Sequence, residues 1–312
     1  MCATKTDLGI LSLQHAGWGA PASEDIAANL DTLVDWTDRE LSNREGVDLV
    51  VLPELSTTPY FCGSRDDRYF KWAELIPGPT TARFGELARR YRTNIVVPLF
   101  ERSSEGLCYN SAAVIDSDGQ LVQGHPNDVG VAPYRKCHVP TIQNPPDTEA
   151  WEDHFFQPGS GFPVFRVART TIGVLICYDR WFPEAWRLLV DSGAEIVVVP
   201  MVAWGFVEGP YLPMLQTRAA ENGVFVVSCN RAGLEELDGV RMQNFGRSTI
   251  VGPDGTVVAG AAPGEAQTAI FATINLGKIE EQRRVLPLLA HRRRDLYGQP
   301  SEWISVKARR NR

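Results

Sequence analysis

A cysteine and a glutamate stand at points of the chain where acyl-transfer chemistry is feasible. Cys177 ends the apolar segment Thr171–Cys177 and precedes Pro183, where a helix is predicted to begin. Glu54 directly follows a second apolar segment that ends in Val-Val-Leu-Pro. In open α/β sheets, ligands and catalytic groups collect at strand-to-helix corners of this kind. A thiol held near a carboxylate predicts a nucleophile whose proton the carboxylate accepts as general base.

A lysine completes this candidate site. Lys136 lies in the segment Tyr134-Arg-Lys-Cys-His-Val-Pro140. If its ammonium lies between the other two groups, it favours the thiolate and stabilises an oxyanion that forms during the reaction. Taken singly, each residue has a structural alternative: a buried core cysteine, a glutamate at the rim of a sheet, or a solvated loop lysine. Together the three predict an acyl-transfer site.

Buried strands and helices are predicted around these residues. Five apolar segments are short, continuous and rich in β-branched residues, which is typical of strands covered on both faces. These segments are Asp48–Pro53, Asn94–Phe100, Thr171–Cys177, Glu195–Pro200 and Val224–Asn230. Helical periodicity falls between them, at residues 26–41, 84–91, 183–190 and 212–221. The alternation predicts an α/β fold.

A second group of predicted strands makes the sheets mixed. Its members are bounded by turn residues such as Asp-Gly. They are Cys108–Asp116, Phe162–Val167, Ser248–Gly252 and Thr268–Ile274. The chain has no Pro/Gly/Ser-rich linker, low-complexity segment or fixed-period repeat, so residues 1–312 are predicted to form one domain.

Composition excludes several classes of protein. With 44% hydrophobic residues among 312, the chain can bury a large core, and its net charge of −7 argues against binding nucleic acid or an anionic membrane. The six cysteines form no CxxC pair and are expected to be reduced. Without a signal-peptide pattern or a 20-residue apolar segment, a cytoplasmic location is expected. The arginine-rich segment 283–312 is expected to be a solvated tail or a subunit contact.

Three sequence blocks resemble a known family. Pro53-Glu-Leu-Ser-Thr-Thr-Pro-Tyr60, Tyr134–Pro140 and Cys177-Tyr-Asp-Arg-Trp-Phe-Pro-Glu184 are similar to the signature blocks of the nitrilase superfamily of carbon–nitrogen hydrolases. The similarity extends along nearly the whole chain and includes Phe156-Gln-Pro-Gly159 and Asn230-Arg231. The resemblance implies a four-layer αββα sandwich.

The same resemblance implies a Glu-Lys-Cys triad at Glu54, Lys136 and Cys177. A second glutamate near the triad is common in the family; Glu152 matches its position, and Glu149 is the alternative. The expected reaction starts with transfer of the thiol proton to Glu54 and attack of the thiolate on a carbonyl. Lys136 and the backbone N–H of Tyr178 are expected to bind the oxyanion.

Two features distinguish this chain within the family. The segment His125–Pro133 is inserted before the lysine block, where it could reshape the pocket or contact another subunit. Tyr178-Asp179 follows the nucleophile where nitrilases typically carry Trp-Glu. The chain therefore resembles the amidase branch and the branches that hydrolyse N-carbamoyl amines or N-carbamoyl amino acids.

Three further residues are expected to bind substrate: Arg180, Tyr60 and Trp204. A guanidinium binds carboxylates bidentately, so Arg180 predicts an acidic substrate tail, with pairing to Asp179 or Glu184 as the alternative. Trp204 either lines the pocket or takes part in ordinary packing.

The functional prediction is a thiol amidohydrolase that cleaves a linear amide or an N-carbamoyl (ureido) compound through a cysteine acyl-enzyme. No cofactor is needed for this chemistry, and the five histidines show no metal-ligand spacing. A homodimer or larger homo-oligomer is implied by the resemblance. Hydrolysis of a nitrile to an acid, and a non-catalytic interaction subunit on the same fold, are the alternatives.

Overall fold

Two six-stranded mixed sheets form the centre of the structure, a computed structural model that describes residues 6–125, 133–143, 145 and 148–297. In chain order, the strands of the first sheet are β1 (Asp7–Gln14), β2 (Leu49–Val51), β3 (Asn94–Arg102), β4 (Cys108–Ile115), β5 (Tyr134–Arg135) and β16 (Thr268–Asn275). Those of the second are β8 (Val164–Val167), β9 (Thr170–Val174), β10 (Ile196–Pro200), β11 (Phe225–Cys229), β14 (Thr249–Val251) and β15 (Val257–Gly260). Two short pairs flank the sheets: β6 (Thr141–Ile142) with β7 (Ala150–Trp151), and β12 (Ala232–Leu237) with β13 (Val240–Phe245).

Helices connect and cover the strands. The α-helices are α1 (Ile26–Ser42), α2 (Pro79–Tyr91), α3 (Glu152–Phe155), α4 (Pro183–Asp191), α5 (Glu208–Asn222), α6 (Gly277–Val285) and α7 (Arg294–Tyr297). Short 3-10 helices span Asp67–Trp72, Cys177–Trp181 and Gly205–Val207. No helix in the described ranges combines the length and apolarity that crossing a bilayer requires.

The two sheets pack face to face. The first has the order β16-β1-β2-β3-β4-β5 and the second the order β15-β14-β11-β10-β9-β8. The central strands β1, β2 and β3 run parallel, as do β9, β10 and β11, and the outer strands are antiparallel. Side chains such as Val51 and Val96 from the first sheet meet Val174 and Val198 from the second in a fully buried layer.

Helices cover the outer face of each sheet. Leu33 of α1 and Phe84 of α2 pack on the first sheet, while Trp186 of α4 and Leu215 of α5 pack on the second. Because the central strands are buried on both faces, their sequences are continuously apolar. The layers follow the order αββα, so the predicted four-layer sandwich is confirmed.

All five predicted buried strands are present, as β2, β3, β9, β10 and β11, with boundaries that differ by one to three residues. The strand predicted to reach Cys177 ends at Val174, and the nucleophile candidate begins a 3-10 helix instead. The carboxylate of Asp179 accepts a hydrogen bond from the backbone N–H of Ile176 at 3.1 Å and helps to turn the chain there. The inserted segment lies mostly outside the described residues, as does the tail beyond residue 297.

Candidate active site

The four predicted catalytic side chains meet where strands of both sheets end. Glu54 follows β2 and Lys136 directly follows β5 of the first sheet, whereas Cys177 follows β9 of the second. Glu152 is the first residue of the short helix α3. The site therefore lies across the two sheets, at the carboxyl ends of parallel strands, where α/β folds bind their ligands.

The carboxylate of Glu54 is fully buried and accepts three hydrogen bonds. Its Oε1 atom accepts from Nζ of Lys136 at 2.9 Å and from Nδ2 of Asn110 at 2.7 Å. Its Oε2 atom accepts from the backbone N–H of Val202 at 2.7 Å. Because these donors come from three chain segments, together they hold the carboxylate in one orientation.

Cys177 adopts a left-handed backbone conformation, with φ of 48°, which costs energy for a residue other than glycine. Its Sγ lies 3.5 Å from the carbonyl oxygen of Val202 and 3.6 Å from Nη1 of Arg180. One residue, Val202, thus touches the thiol through its carbonyl and Glu54 through its N–H. Both side chains therefore contact Val202, and the charge of Glu54 acts on the thiol.

The thiol is protonated in the resting site. Burial and the negative charge of Glu54 raise the pKa of Cys177 to about 12, although Lys136 and Arg180 act in the opposite direction. The charge of Lys136 lowers the pKa of the thiol, but burial outweighs that charge. The thiolate must form during the reaction, when a nearby base takes the proton.

Lys136 joins the two carboxylates. Its Nζ donates to Oε2 of Glu152 at 2.6 Å as well as to Glu54, and all three side chains are buried. Burial opposes the charge on Lys136, but Glu152 and Glu54 together raise the pKa of the lysine well above its ordinary value. The hydroxyl of Tyr60 donates to Oε1 of Glu152 at 3.1 Å. Of the two predicted glutamates, Glu152 lies on the lysine, whereas Glu149 accepts from the indole N–H of Trp151 at 3.2 Å.

A pocket of about 450 Å³ opens onto Cys177 and Glu152. Its wall is mostly apolar and aromatic, and is formed by Tyr60, Pro140, Ile142, Thr148, Ala150, Glu152, Cys177, Tyr178, Arg180, Trp181, Phe182, Val202, Ala203, Trp204, Phe206 and Val207. The backbone N–H of Tyr178 has no acceptor within the described part of the chain. The size suits a small organic molecule with few polar groups.

The three predicted substrate-binding residues all lie in this wall. The rings of Tyr60 and Trp204 pack with their centroids 5.0 Å apart. Arg180 is 1% exposed, and its Nη1 donates to the carbonyl oxygen of Cys177 at 2.7 Å. Among residues 6–125, 133–143 and 148–297, no carboxylate lies within ion-pair distance of Arg180, and its buried Nε has no acceptor. Burial of a cation without a carboxylate partner costs free energy, and an anionic group bound in the pocket would offset that cost.

Two positioning contacts were missed by sequence reasoning. Asn110, which binds Glu54, stands beside Ser111 in a strand that is otherwise largely apolar, and this polar pair was the only signal. Asp179 accepts from the hydroxyl of Tyr134 at 2.6 Å and from the backbone N–H of His138 at 2.9 Å. Asp179 thereby ties the turn of the nucleophile to the segment that carries Lys136. In the described residues no group of His, Cys, Asp and Glu is arranged to hold a metal ion.

Comparisons with known proteins agree with this architecture. Residues 12–284 match the family described as carbon-nitrogen hydrolase. An N-carbamoylputrescine amidase from Solanum lycopersicum is 32% identical over 289 residues, which cover 88% of this chain and 90% of the relative. A citrullinase from Francisella tularensis is 33% identical over 270 residues, covering 82% of this chain and 87% of the relative.

A solved structure supports the same fold. The crystal structure of a carbon-nitrogen hydrolase from Helicobacter pylori G27 superposes with a TM-score of 0.81 at 29% identity. The match covers 94% of this chain and 97% of that one.

Proposed function

Since the chain belongs to the carbon-nitrogen hydrolase family and hydrolyses C–N bonds of amide or ureido compounds, we propose that its substrate is an N-carbamoyl acid. Such a compound carries a ureido group at one end and a carboxylate at the other. The two relatives described above are named for N-carbamoylputrescine and for citrulline, both of which contain a ureido group. The buried Arg180, which has no carboxylate partner in the described residues, is the observation that carries the acidic half of the proposal.

In the proposed mechanism, Glu54 accepts the proton of Cys177 and the thiolate attacks the ureido carbon. Lys136 and the backbone N–H of Tyr178 donate to the developing oxyanion. Glu54 returns the proton to the departing nitrogen, and a water molecule activated by the same carboxylate then hydrolyses the acyl-enzyme. Glu152 lies in the pocket wall, where it orients that water. Overall, one ureido group and one water give an amine, CO₂ and ammonia.

The acidic tail is tested by comparing two substrates in two variants. Arg180→Gln and Arg180→Lys are assayed on an N-carbamoyl amino acid and on the alkylurea that lacks its carboxylate. Loss of a buried, charged hydrogen bond is worth about 1.5–3 kcal/mol, so KM for the acid should rise roughly 10- to 150-fold while KM for the alkylurea stays the same. Arg180 also holds the carbonyl of Cys177, so kcat is expected to fall for both substrates. An equal change of KM on both would refute the carboxylate assignment.

A homodimer or larger homo-oligomer is also part of this proposal. Six large apolar side chains on α4 and from the end of α6 to α7 are exposed, namely Leu188, Val285, Leu286, Leu288, Leu296 and Tyr297. Arg292 pairs with Asp191 at the end of α4 at 2.7 Å, which keeps the C-terminal segment close to that helix. Exposed apolar surface of this kind is typical of subunit contacts. Light scattering during gel filtration measures the mass directly.

A further inference from the structure

The turn that carries Glu54 is folded around a buried arginine. Arg231 lies two residues beyond β11 and has no exposed surface. Its Nη2 donates to the carbonyl oxygens of Glu54 at 3.0 Å, Leu55 at 2.5 Å and Thr58 at 2.7 Å. Leu55 adopts a left-handed conformation, with φ of 50°, which helps to direct these carbonyls toward the guanidinium. Three carbonyls of one turn therefore converge on one cation.

A buried glutamate links Arg231 to the other end of the same turn. Nη1 of Arg231 donates to both carboxylate oxygens of Glu235, at 3.1 and 3.0 Å. Oε1 of Glu235 also accepts from the backbone N–H of Tyr60 at 2.7 Å. Because the Tyr60 hydroxyl binds Glu152, the ion pair reaches both carboxylates of the site through one short segment.

The neighbouring residue holds the opposite side of the site. Oδ1 of Asn230 accepts from the backbone N–H of Ala203 at 2.9 Å, and its Nδ2 donates to the carbonyl oxygens of Ala203 at 3.2 Å and Gly246 at 3.1 Å. Ala203 directly follows Val202, the residue that touches both the thiol of Cys177 and the carboxylate of Glu54. Two consecutive residues thus hold the turn that carries Glu54 and the segment that contacts both Glu54 and Cys177.

We propose that Asn230, Arg231 and Glu235 are positioning residues that set the placement of Glu54 relative to Cys177. All three are fully buried and bind backbone groups or one another, so they act through the groups they hold and not on the substrate. A buried ion pair is weak evidence of stabilisation, because desolvation offsets its attraction, whereas the geometry that it imposes is strict. An error of about 1 Å in such geometry lowers a rate about 10²-fold.

Arg231→Lys tests this role, because lysine keeps the charge but lacks the fork that reaches Glu235 and three carbonyls at once. We expect kcat to fall about 10²-fold while KM changes less than about threefold, with rates normalised to the fraction of folded protein measured by near-ultraviolet circular dichroism. Arg218→Lys is the matched control: it alters a largely buried arginine that pairs with Glu221 on α5, and should leave kcat unchanged.

A double-variant cycle separates positioning from plain structural support. If Arg231 acts through Glu54, then adding Arg231→Lys to Glu54→Gln should cause no further loss of kcat. Glu235→Gln should behave as Arg231→Lys does and serves where the lysine variant does not fold. An unchanged normalised kcat in either single variant, or multiplication of the two losses in the double variant, would overturn the proposal.

The inference rests on Glu54 and Cys177 as base and nucleophile, not on the identity of the substrate. A fully active Cys177→Ala variant would therefore signal failure of the catalytic assignment itself. Equal hydrolysis of acidic and neutral ureas would signal failure of the substrate proposal and leave the positioning role standing.

Discussion

The charges around Glu152 predict how the free energy of unfolding depends on pH. Two buried carboxylates there share the single ammonium of Lys136. Burial raises the pKa of Glu152 to about 7, and the attraction of Lys136 offsets burial only in part. Because this folded-state pKa lies above the unfolded value, the associated stabilisation is complete below about pH 4.5. It is lost as the pH rises through about 7.

The size of the effect follows from the two pKa values. A change from 4.5 to about 7 corresponds to about 3 kcal/mol in the free energy of unfolding once the pH exceeds both. Glu152→Gln removes this titration and keeps the shape of the side chain. The amide oxygen can still accept from Lys136, while the amide N–H₂ donates to the hydroxyl of Tyr60. Relative to the variant, the wild-type Tm should therefore fall by about 4–5 °C between pH 5 and pH 8.5.

Thermal melts of both proteins across this range, followed by near-ultraviolet circular dichroism, measure the difference. Turnover is measured in the same buffers, and Glu152→Gln should lose about 10²-fold or more in kcat although it is the more stable protein at high pH. Glu149→Gln serves as the control, since the carboxylate of Glu149 binds the Trp151 indole and not the lysine. Parallel Tm curves for wild type and Glu152→Gln would refute the assigned pKa, and wild-type turnover would remove Glu152 from the mechanism.

Two further predictions concern the proton transfer itself. Cys177→Ala should abolish turnover with little change in Tm, whereas the controls Cys62→Ala and Cys229→Ala should stay active. Residual turnover of more than roughly a few per cent in Cys177→Ala would exclude a covalent intermediate. Glu54→Gln should lower the rate of acylation by about 10²–10⁴-fold, seen as loss of the first-turnover burst of released product, and an intact burst would assign the base elsewhere.

The buried strands were predictable because their sequence pattern is local. A strand such as β10 is covered on both faces, so Ile196-Val-Val-Val is continuously apolar and can be recognised without knowing its neighbours. Residue types at the ends of predicted strands pointed to Glu54 and Cys177, and the resemblance supported them together with Lys136; the structure places all three in hydrogen-bonding networks. Both predictions depended on information contained in short segments.

Contacts between distant segments were not predictable in this way. Strand β1 pairs with β16 some 260 residues later. Neither the sequence nor the length of β1 identified it as a strand. The backbone N–H of Val202 binds Glu54, which lies 148 residues earlier in the chain. Because this contact uses a backbone group, the identity of the side chain does not indicate it. The raised pKa of Cys177 was not predictable for a related reason, since desolvation depends on the folded surroundings of the thiol and not on its neighbours in sequence.

The division of the site between the two sheets has a consequence for how the protein recovers from denaturation. Glu54 and Lys136 extend from the first sheet, and Cys177 from the second, so neither sheet contains a working site alone. During refolding, each sheet can form before the apolar layer between the sheets has closed. Such a chain has native strands but no turnover. The rate at which activity returns therefore reports the closure of that layer. Far-ultraviolet circular dichroism, which follows secondary structure, changes little in this step.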